Sequence, residues 1–164
     1  MTPQQLLERL AELGIETETI EHPAVYTVEE AKLHRGGLSG VHTKNLFVRD
    51  KKKKMWLITT TEDRPIDLKA VGQRLGAKNL SFGSPERLQQ YLGLQPGSVT
   101  PLAAINDADK QVKVVLDRAL FTGEPICVHP LVNTHTTALS GDELIRFLES
   151  TGHPPQILDL GRLV

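Results

Sequence analysis

The sequence predicts an α+β domain in which short capped helices alternate with short strands of a mixed or antiparallel sheet. Three observations carry this. Five polar cap residues each stand before a run with helical apolar spacing. Two pairs of β-type runs flank polar turn segments, which reads as hairpins and therefore antiparallel pairing. The 164 residues are 39% hydrophobic and 24% charged, a globular mixture that fits one domain, 1–164, with a sizeable core.

Along the chain, Thr2-Pro3 supplies a cap and a first-turn proline before Leu6, Leu7 and Leu10, and Gly14 stops that helix. Thr27-Val28-Glu29-Glu30 reads as a capping box, with Gly36-Gly37 as the stop. Asp67 caps a short helix through Leu68, Val71 and Leu75, closed by Gly76. Ser84-Pro85 begins another through Leu88, Tyr91 and Leu92, closed by Gly93. Ser140-Gly141-Asp142-Glu143 repeats the capping box, and Leu144, Ile145, Phe147 and Leu148 give the apolar face up to Gly152. Leu46-Phe47-Val48 and Met55 to Ile58 flank Asp50-Lys51-Lys52-Lys53-Lys54 as a first hairpin. Ala103-Ala104-Ile105 and Val112 to Leu116 flank Asn106-Asp107-Ala108-Asp109 as a second. Ile126 to Val128 and Thr136 to Leu139 add two strands.

Several function classes are disfavoured. Nineteen basic against twenty acidic residues give a formal charge of −1, so a dedicated duplex binder is not expected and nucleic-acid contacts should be local. One cysteine, Cys127, cannot close an intrachain disulfide and reads as a small buried hydrophobe. Glu8, Glu12, Glu16, Glu18 and Glu21 interrupt any N-terminal signal segment, and no apolar run approaches the ~20 residues of a membrane span, so the cytoplasm is the expected compartment. The six histidines show no His-Glu-x-x-His pair, and Cys127 has no ligand partner at zinc spacing, so no metal and no cofactor is expected. No Gly-x-Ser-x-Gly elbow marks a serine hydrolase, and Gly97-Ser98-Val99 reads as a turn.

What remains is a set of polar residues in apolar or turn-rich surroundings. Lys44, in Thr43-Lys44-Asn45, stands at the head of a strand; it is either an edge lysine reaching to water or a functional cation, and spacing alone favours the first. Gly97-Ser98-Val99-Thr100-Pro101, bracketed by Pro96 and Pro101, is a stiff loop whose backbone groups cannot all enter a sheet; it is an ordinary turn or a ligand cradle. His129 follows a strand. Lys51, Lys52, Lys53 and Lys54 form a solvated turn or a phosphate contact.

Thr43-Lys44-Asn45-Leu46-Phe47, Ile66-Asp67-Leu68-Lys69, Leu80-Ser81-Phe82-Gly83-Ser84, Pro96 to Pro101, Asn106-Asp107 and His129-Pro130-Leu131-Val132-Asn133-Thr134 occur in that order. Together they resemble the YbaK/ProXp superfamily, relatives of the editing domain of bacterial prolyl-tRNA synthetase, and within it the free-standing ProXp-ala (PrdX) branch. The similarity runs from about His22 to about Gly152. It implies an α/β fold with a mixed, mostly antiparallel, barrel-like sheet surrounded by short helices. It implies hydrolysis of the ester joining an amino acid, alanine in this branch, to the 3′-terminal adenosine of tRNA. By the same resemblance Lys44 is the catalytic residue, and Asn45, Gly97, Ser98, Val99, Thr100, Pro101 and His129 bind substrate. The resemblance also implies that the helix from Thr27 to about Arg35 gates the site; separately, on their charge, Lys32, Arg35 and Lys51 to Lys54 are candidate tRNA phosphate contacts. The expected partners are the acceptor end of aminoacylated tRNA and prolyl-tRNA synthetase. A non-catalytic tRNA- or synthetase-binding module, and a deacylase for Cys, Ser or Thr esters, remain the alternatives, and the oligomeric state is open.

Overall fold

Met55-Trp56-Leu57-Ile58 is apolar at every position, a pattern a strand tolerates when both of its faces are covered. In a computed structural model, which describes residues 1–24, 26–34 and 38–160, this run lies at the centre of an eight-stranded sheet. The elements in order are α1 (Pro3–Glu12), β1 (Glu18–Glu21), α2 (Val28–His34), β2 (Val41–Arg49), β3 (Met55–Thr61), α3 (Leu68–Leu75), β4 (Ser81–Phe82), α4 (Pro85–Leu92), a 3-10 helix (Pro101–Asn106), β5 (Val112–Asp117), a short 3-10 turn (Arg118–Leu120), β6 (Ile126–Val128), β7 (His135–Leu139), α5 (Gly141–Ser150) and β8 (Gln156–Leu158). Strand order is β1-β7-β6-β2-β3-β5-β8, with β4 added to β2. Pairing is antiparallel for β1–β7, β6–β7, β2–β3 and β2–β4 and parallel for β2–β6, β3–β5 and β5–β8, so the sheet is mixed.

The two faces bury different side chains. Met55 and Leu57 point into a large core with Leu6, Leu10, Leu92, Phe147 and Leu148, supplied by α1, α4 and α5. Trp56 and Ile58 point the other way, onto Val71 of α3, Val115 and Leu160. The helix ends follow their sequence signals. Thr2 and Gln5 close a reciprocal capping box, and Asp67, Ser84 and Ser140 each accept a first-turn N–H. Thr27 Oγ1 accepts from Glu30 N at 3.1 Å. The expected stop of α2 at Gly36-Gly37 lies outside the described residues. Cys127 is buried beside Leu38 and Ala138, as a small hydrophobe. Among the described residues no helix is long and apolar enough to cross a membrane.

One expected hairpin is absent. Ala103-Ala104-Ile105 is not a strand but the middle of the 3-10 helix Pro101–Asn106. Thr100 Oγ1 accepts from Leu102 N, Pro101 fills the first helical position, and alanines have little β preference to oppose them. Asn106 to Asp109 therefore ends a helix rather than turning a hairpin, and β5 pairs in parallel with β3. The sequence patterns also miss β1, β4 and β8, each no longer than four residues.

The sheet is broken along one edge of β2. There β6 pairs with Val41 and His42, and β4 pairs with Val48 and Arg49. Between these ladders, residues 43–47 have no strand partner on that edge among the described residues. The loop 96–100 occupies this gap and is fixed from behind. Asp107, buried at the end of the 3-10 helix, accepts from Gln111 N (3.1 Å), Val112 N (2.8 Å) and His153 Nε2 (2.9 Å). Asp107→Ala leaves two backbone donors and a buried imidazole without their acceptor. It should lower the unfolding free energy by about 3–5 kcal/mol in urea titration.

Candidate functional site

The break in the β2 edge opens into a cavity of about 260 Å³. From β2 it receives Thr43, Lys44 and Asn45. Lys44 is the fourth residue of its strand rather than the first, because β2 extends back to Val41. It is half-buried, and among the described residues no carboxylate or other acceptor pairs with it. Its neighbour Asn45 is tied by its carboxamide oxygen, which accepts from Thr59 Oγ1 directly across the ladder. Phe47 O accepts from Gly83 N on the broken edge, and strand alternation turns the backbone N–H and C=O of Asn45 toward the same edge.

Opposite β2, the loop contributes Gly97 and Val99. Gly97 has φ +91°, and a Cβ there would come within 2.7 Å of the Tyr26 ring, so no other residue fits without displacement. The remaining loop residues expected to bind substrate turn inward. Ser98 is buried, Thr100 is buried with its hydroxyl spent on the Leu102 N–H, and Pro101 is buried in the 3-10 helix. Of the five, Gly97 and Val99 are the pair brought to the cavity. Tyr26, Thr27 and Val28 close the side where α2 begins.

His129 borders the cavity from the end of β6. Its Nδ1–H donates to His135 O at 2.8 Å, which leaves Nε2 as the acceptor of the neutral ring. Burial is the main cause holding its pKa below the ordinary 6.5; the nearby His22 adds to the shift and the His135 carbonyl opposes it. The two imidazole centroids lie 6.2 Å apart, with His22 held by Pro23 O and Thr136 Oγ1. Leu131, two residues on, adopts φ +71°, a strained conformation for a residue with a side chain. Beyond His129 lies an annex of about 40 Å³ that shares Thr43, Glu62 and His129 with the main cavity and is otherwise lined by His42, Cys127, Val128 and Thr136.

Sequence reasoning misses Glu62, though it lines both hollows. A signal for it exists: the five-residue turn Asp50–Lys54 sets the register that pairs Thr43 with Thr61, and this carries the next residue, Glu62, to the Lys44 end of the hairpin. Its N–H donates to His42 O at 3.0 Å.

The candidate phosphate contacts lie elsewhere. Lys51 to Lys54 form the turn at the far end of β2, about 20 Å from Lys44 at strand rise. Asp50 organises that turn by accepting from Lys54 N at 2.8 Å. Lys51, Lys52 and Lys54 are joined there by Lys78 and Lys113 around a hollow of about 200 Å³. Lys32 pairs with Asp63 at 2.7 Å, both side chains exposed. Arg35 lies outside the described residues. Among the described residues no His, Cys, Asp and Glu group is arranged to hold a metal.

Known proteins agree with this architecture. A family model described as the aminoacyl-tRNA editing domain matches residues 22–147. The prolyl-tRNA synthetase associated domain-containing protein 1 of Danio rerio is 45% identical, the match covering 94% of this chain and 85% of that protein. The prolyl-tRNA editing protein ProX of Acetoanaerobium sticklandii is 36% identical over 96% of both chains. A crystal structure of a candidate trans-editing enzyme for prolyl tRNA synthetase superposes with TM-score 0.73 at 20% identity, covering 99% of this chain and 98% of that one, a likeness of fold. The mixed sheet, the residues matched and these relatives together place the chain in the aminoacyl-tRNA editing domain family, the YbaK/ProXp superfamily.

Proposed function

We propose that this protein is a cytoplasmic trans-editing deacylase that hydrolyses the ester between a small amino acid, alanine above all, and the 3′-terminal adenosine of tRNA(Pro). The observation that carries the reading is a half-buried lysine without an ionic partner among the described residues, facing a glycine loop across a cavity of amino-acid size. The names of two relatives, one a prolyl-tRNA editing protein and one associated with prolyl-tRNA synthetase, supply the tRNA.

An aminoacyl ester is already activated, so positioning and charge stabilisation suffice without a nucleophilic side chain. The Lys44 ammonium stabilises negative charge developing on the ester carbonyl oxygen. Backbone groups of Gly97, Val99 and Asn45 hold the substrate against the broken strand edge. The Glu62 carboxylate takes the α-ammonium group. Water adds to the carbonyl carbon, guided by the His129 Nε2 lone pair and the substrate's own 2′-hydroxyl. The bond to the 3′-oxygen then breaks, that oxygen takes the proton, and a free amino acid and a tRNA 3′-hydroxyl leave. With the side chain directed into the 40 Å³ annex, a methyl group fits and a pyrrolidine ring does not, so proline is refused by clash. Exclusion of this kind discriminates better than contact, since one methylene in a pocket is worth only ~1–3 kcal/mol.

The deciding assay follows ester loss from Ala-, Pro-, Cys- and Ser-tRNA. Alanine should be released fastest and proline spared, and Lys44→Ala should lower kcat by about 10²–10³ with Tm unchanged or raised. Tight tRNA binding without turnover by the unmodified protein would instead establish a binding module. Acidification should lower kcat/KM through an apparent pKa below 6.5, because protonated His129 offers no lone pair at Nε2; in His129→Gln that acid limb should disappear. Stability should fall over the same range, since the unfolded chain takes up the proton at higher pH than the folded one. Reversing Lys51 to Lys54 to glutamate should raise KM for tRNA and flatten its salt dependence, while hydrolysis of a nucleotide-free alanyl ester is retained.

A further inference from the structure

Beside the cavity, the same break in the β2 edge continues into a second hollow of about 210 Å³. The two share Asn45, Gly97 and Val99, so they are one trough divided by the loop rather than two separate features. Their linings differ. The first carries Lys44, Glu62 and His129; the second has a floor of Phe47 and Leu88, walls of Pro85 and Pro96, and Phe82 at its rim.

Phe82 is 63% exposed. A ring that leaves most of its surface in water gains little for the core, yet the backbone that carries this one is fixed. Phe82 pairs with Val48 in the two-residue strand β4, and Gly83 N donates to Phe47 O at 2.8 Å. Gly83 lies so close over the Phe47 ring that a Cβ there would overlap it. Among the described residues the exposed large hydrophobics are Met1, Tyr26 and Phe82, so both exposed aromatic rings border this trough. An exposed, uncharged ring on an anchored backbone, at the rim of a hollow of this size, suits a flat aromatic ligand rather than a helix or strand of another protein.

We propose that this second hollow is a nucleobase subsite, in which the unpaired 3′-terminal base of the tRNA stacks on Phe82 while its aminoacyl ester occupies the Lys44 cavity. The proposal rests on the deacylase reading for the identity of the RNA, and the geometry fits it: ester and base are separated by one ribose, as the two hollows are by the loop. Stacking accepts any base face and needs no polar code, in keeping with the apolar lining. The subsite also assigns Phe82 a cause for its exposure that core packing does not provide.

The test uses an acceptor-stem minihelix carrying 2-aminopurine in place of the terminal adenine. The full-length protein should quench its fluorescence, Phe82→Ala should weaken binding roughly 5- to 100-fold, and Phe82→Trp should restore it. Alanylated minihelix should lose kcat/KM by a similar factor in Phe82→Ala, whereas a nucleotide-free alanyl ester should not. Quenching by the unmodified protein without hydrolysis would sink the deacylase reading and leave the subsite standing. Hydrolysis with unchanged affinity and unchanged quenching in Phe82→Ala would overturn the subsite. Equal losses on both substrates, or loss of synthetase binding with the base signal intact, would overturn it too, showing a structural role or a protein-docking face.

Discussion

The site depends on a strand that is half paired. β2 belongs to both halves of the sheet, paired with β3 from Thr43 to Arg49 but met on its other edge by β6 at one end and β4 at the other. A continuous ladder there would consume the backbone groups that Thr43 and Asn45 turn to this edge and leave no hollow. An open edge in solvent would be a liability, exposing unpaired groups to any passing strand. The protein meets both constraints by laying the loop 96–100 across the gap without pairing it as a strand. Lys44 is thus carried on a rigid, centrally braced element, while the backbone beside it remains open to a ligand.

That arrangement explains why the loop contributes backbone more than side chains. Ser98 and Thr100 face inward, and Thr100 begins the buried 3-10 helix that Asp107 and His153 terminate. Rigidity flows from this buried polar cluster outward to Gly97, whose left-handed conformation and missing Cβ let the Tyr26 ring lie against the loop. The sequence Pro96 to Pro101 therefore does two jobs with different residues: positions 98, 100 and 101 anchor, and positions 97 and 99 face the cavity.

Local signals make the helices legible, because a cap, an apolar spacing and a terminal glycine act within a few residues. The first hairpin is legible for the same reason, and its register, counted out residue by residue, leads to Glu62. Ala103 to Ile105 reads wrongly as a strand because an apolar triplet says nothing about period, and the Thr100-Pro101 start signal sits at the end of a loop that already has its own reading. The strands β1 and β8 owe their existence to partners more than thirty residues away and carry no pattern of their own. At the site, residue chemistry alone favours an edge lysine at 44, and only the resemblance raises it. The lysine hollow is half visible: Lys51 to Lys54 are a run, whereas Lys78 and Lys113 join them only through folding. A chain charge of −1 hides such a patch, since five lysines around one hollow leave the remainder of the surface acidic.

Lys44 also differs from the other charges of this protein. Among the described residues Lys44 has no counterion, so this half-buried lysine adds no ion pair to the stability of the folded state. Elsewhere this protein pairs its buried charges: Asp117 accepts from Thr60 and lies 2.9 Å from Arg64 Nε, and Asp107 is bonded to His153. The contrast is local and falls at the broken edge of β2. A counterion beside Lys44 would stabilise the empty protein and would equally neutralise the field acting on an incoming carbonyl oxygen. On the proposed deacylase reading, leaving the ammonium unpaired keeps that field available until a substrate arrives, and the unpaired charge then serves function rather than packing.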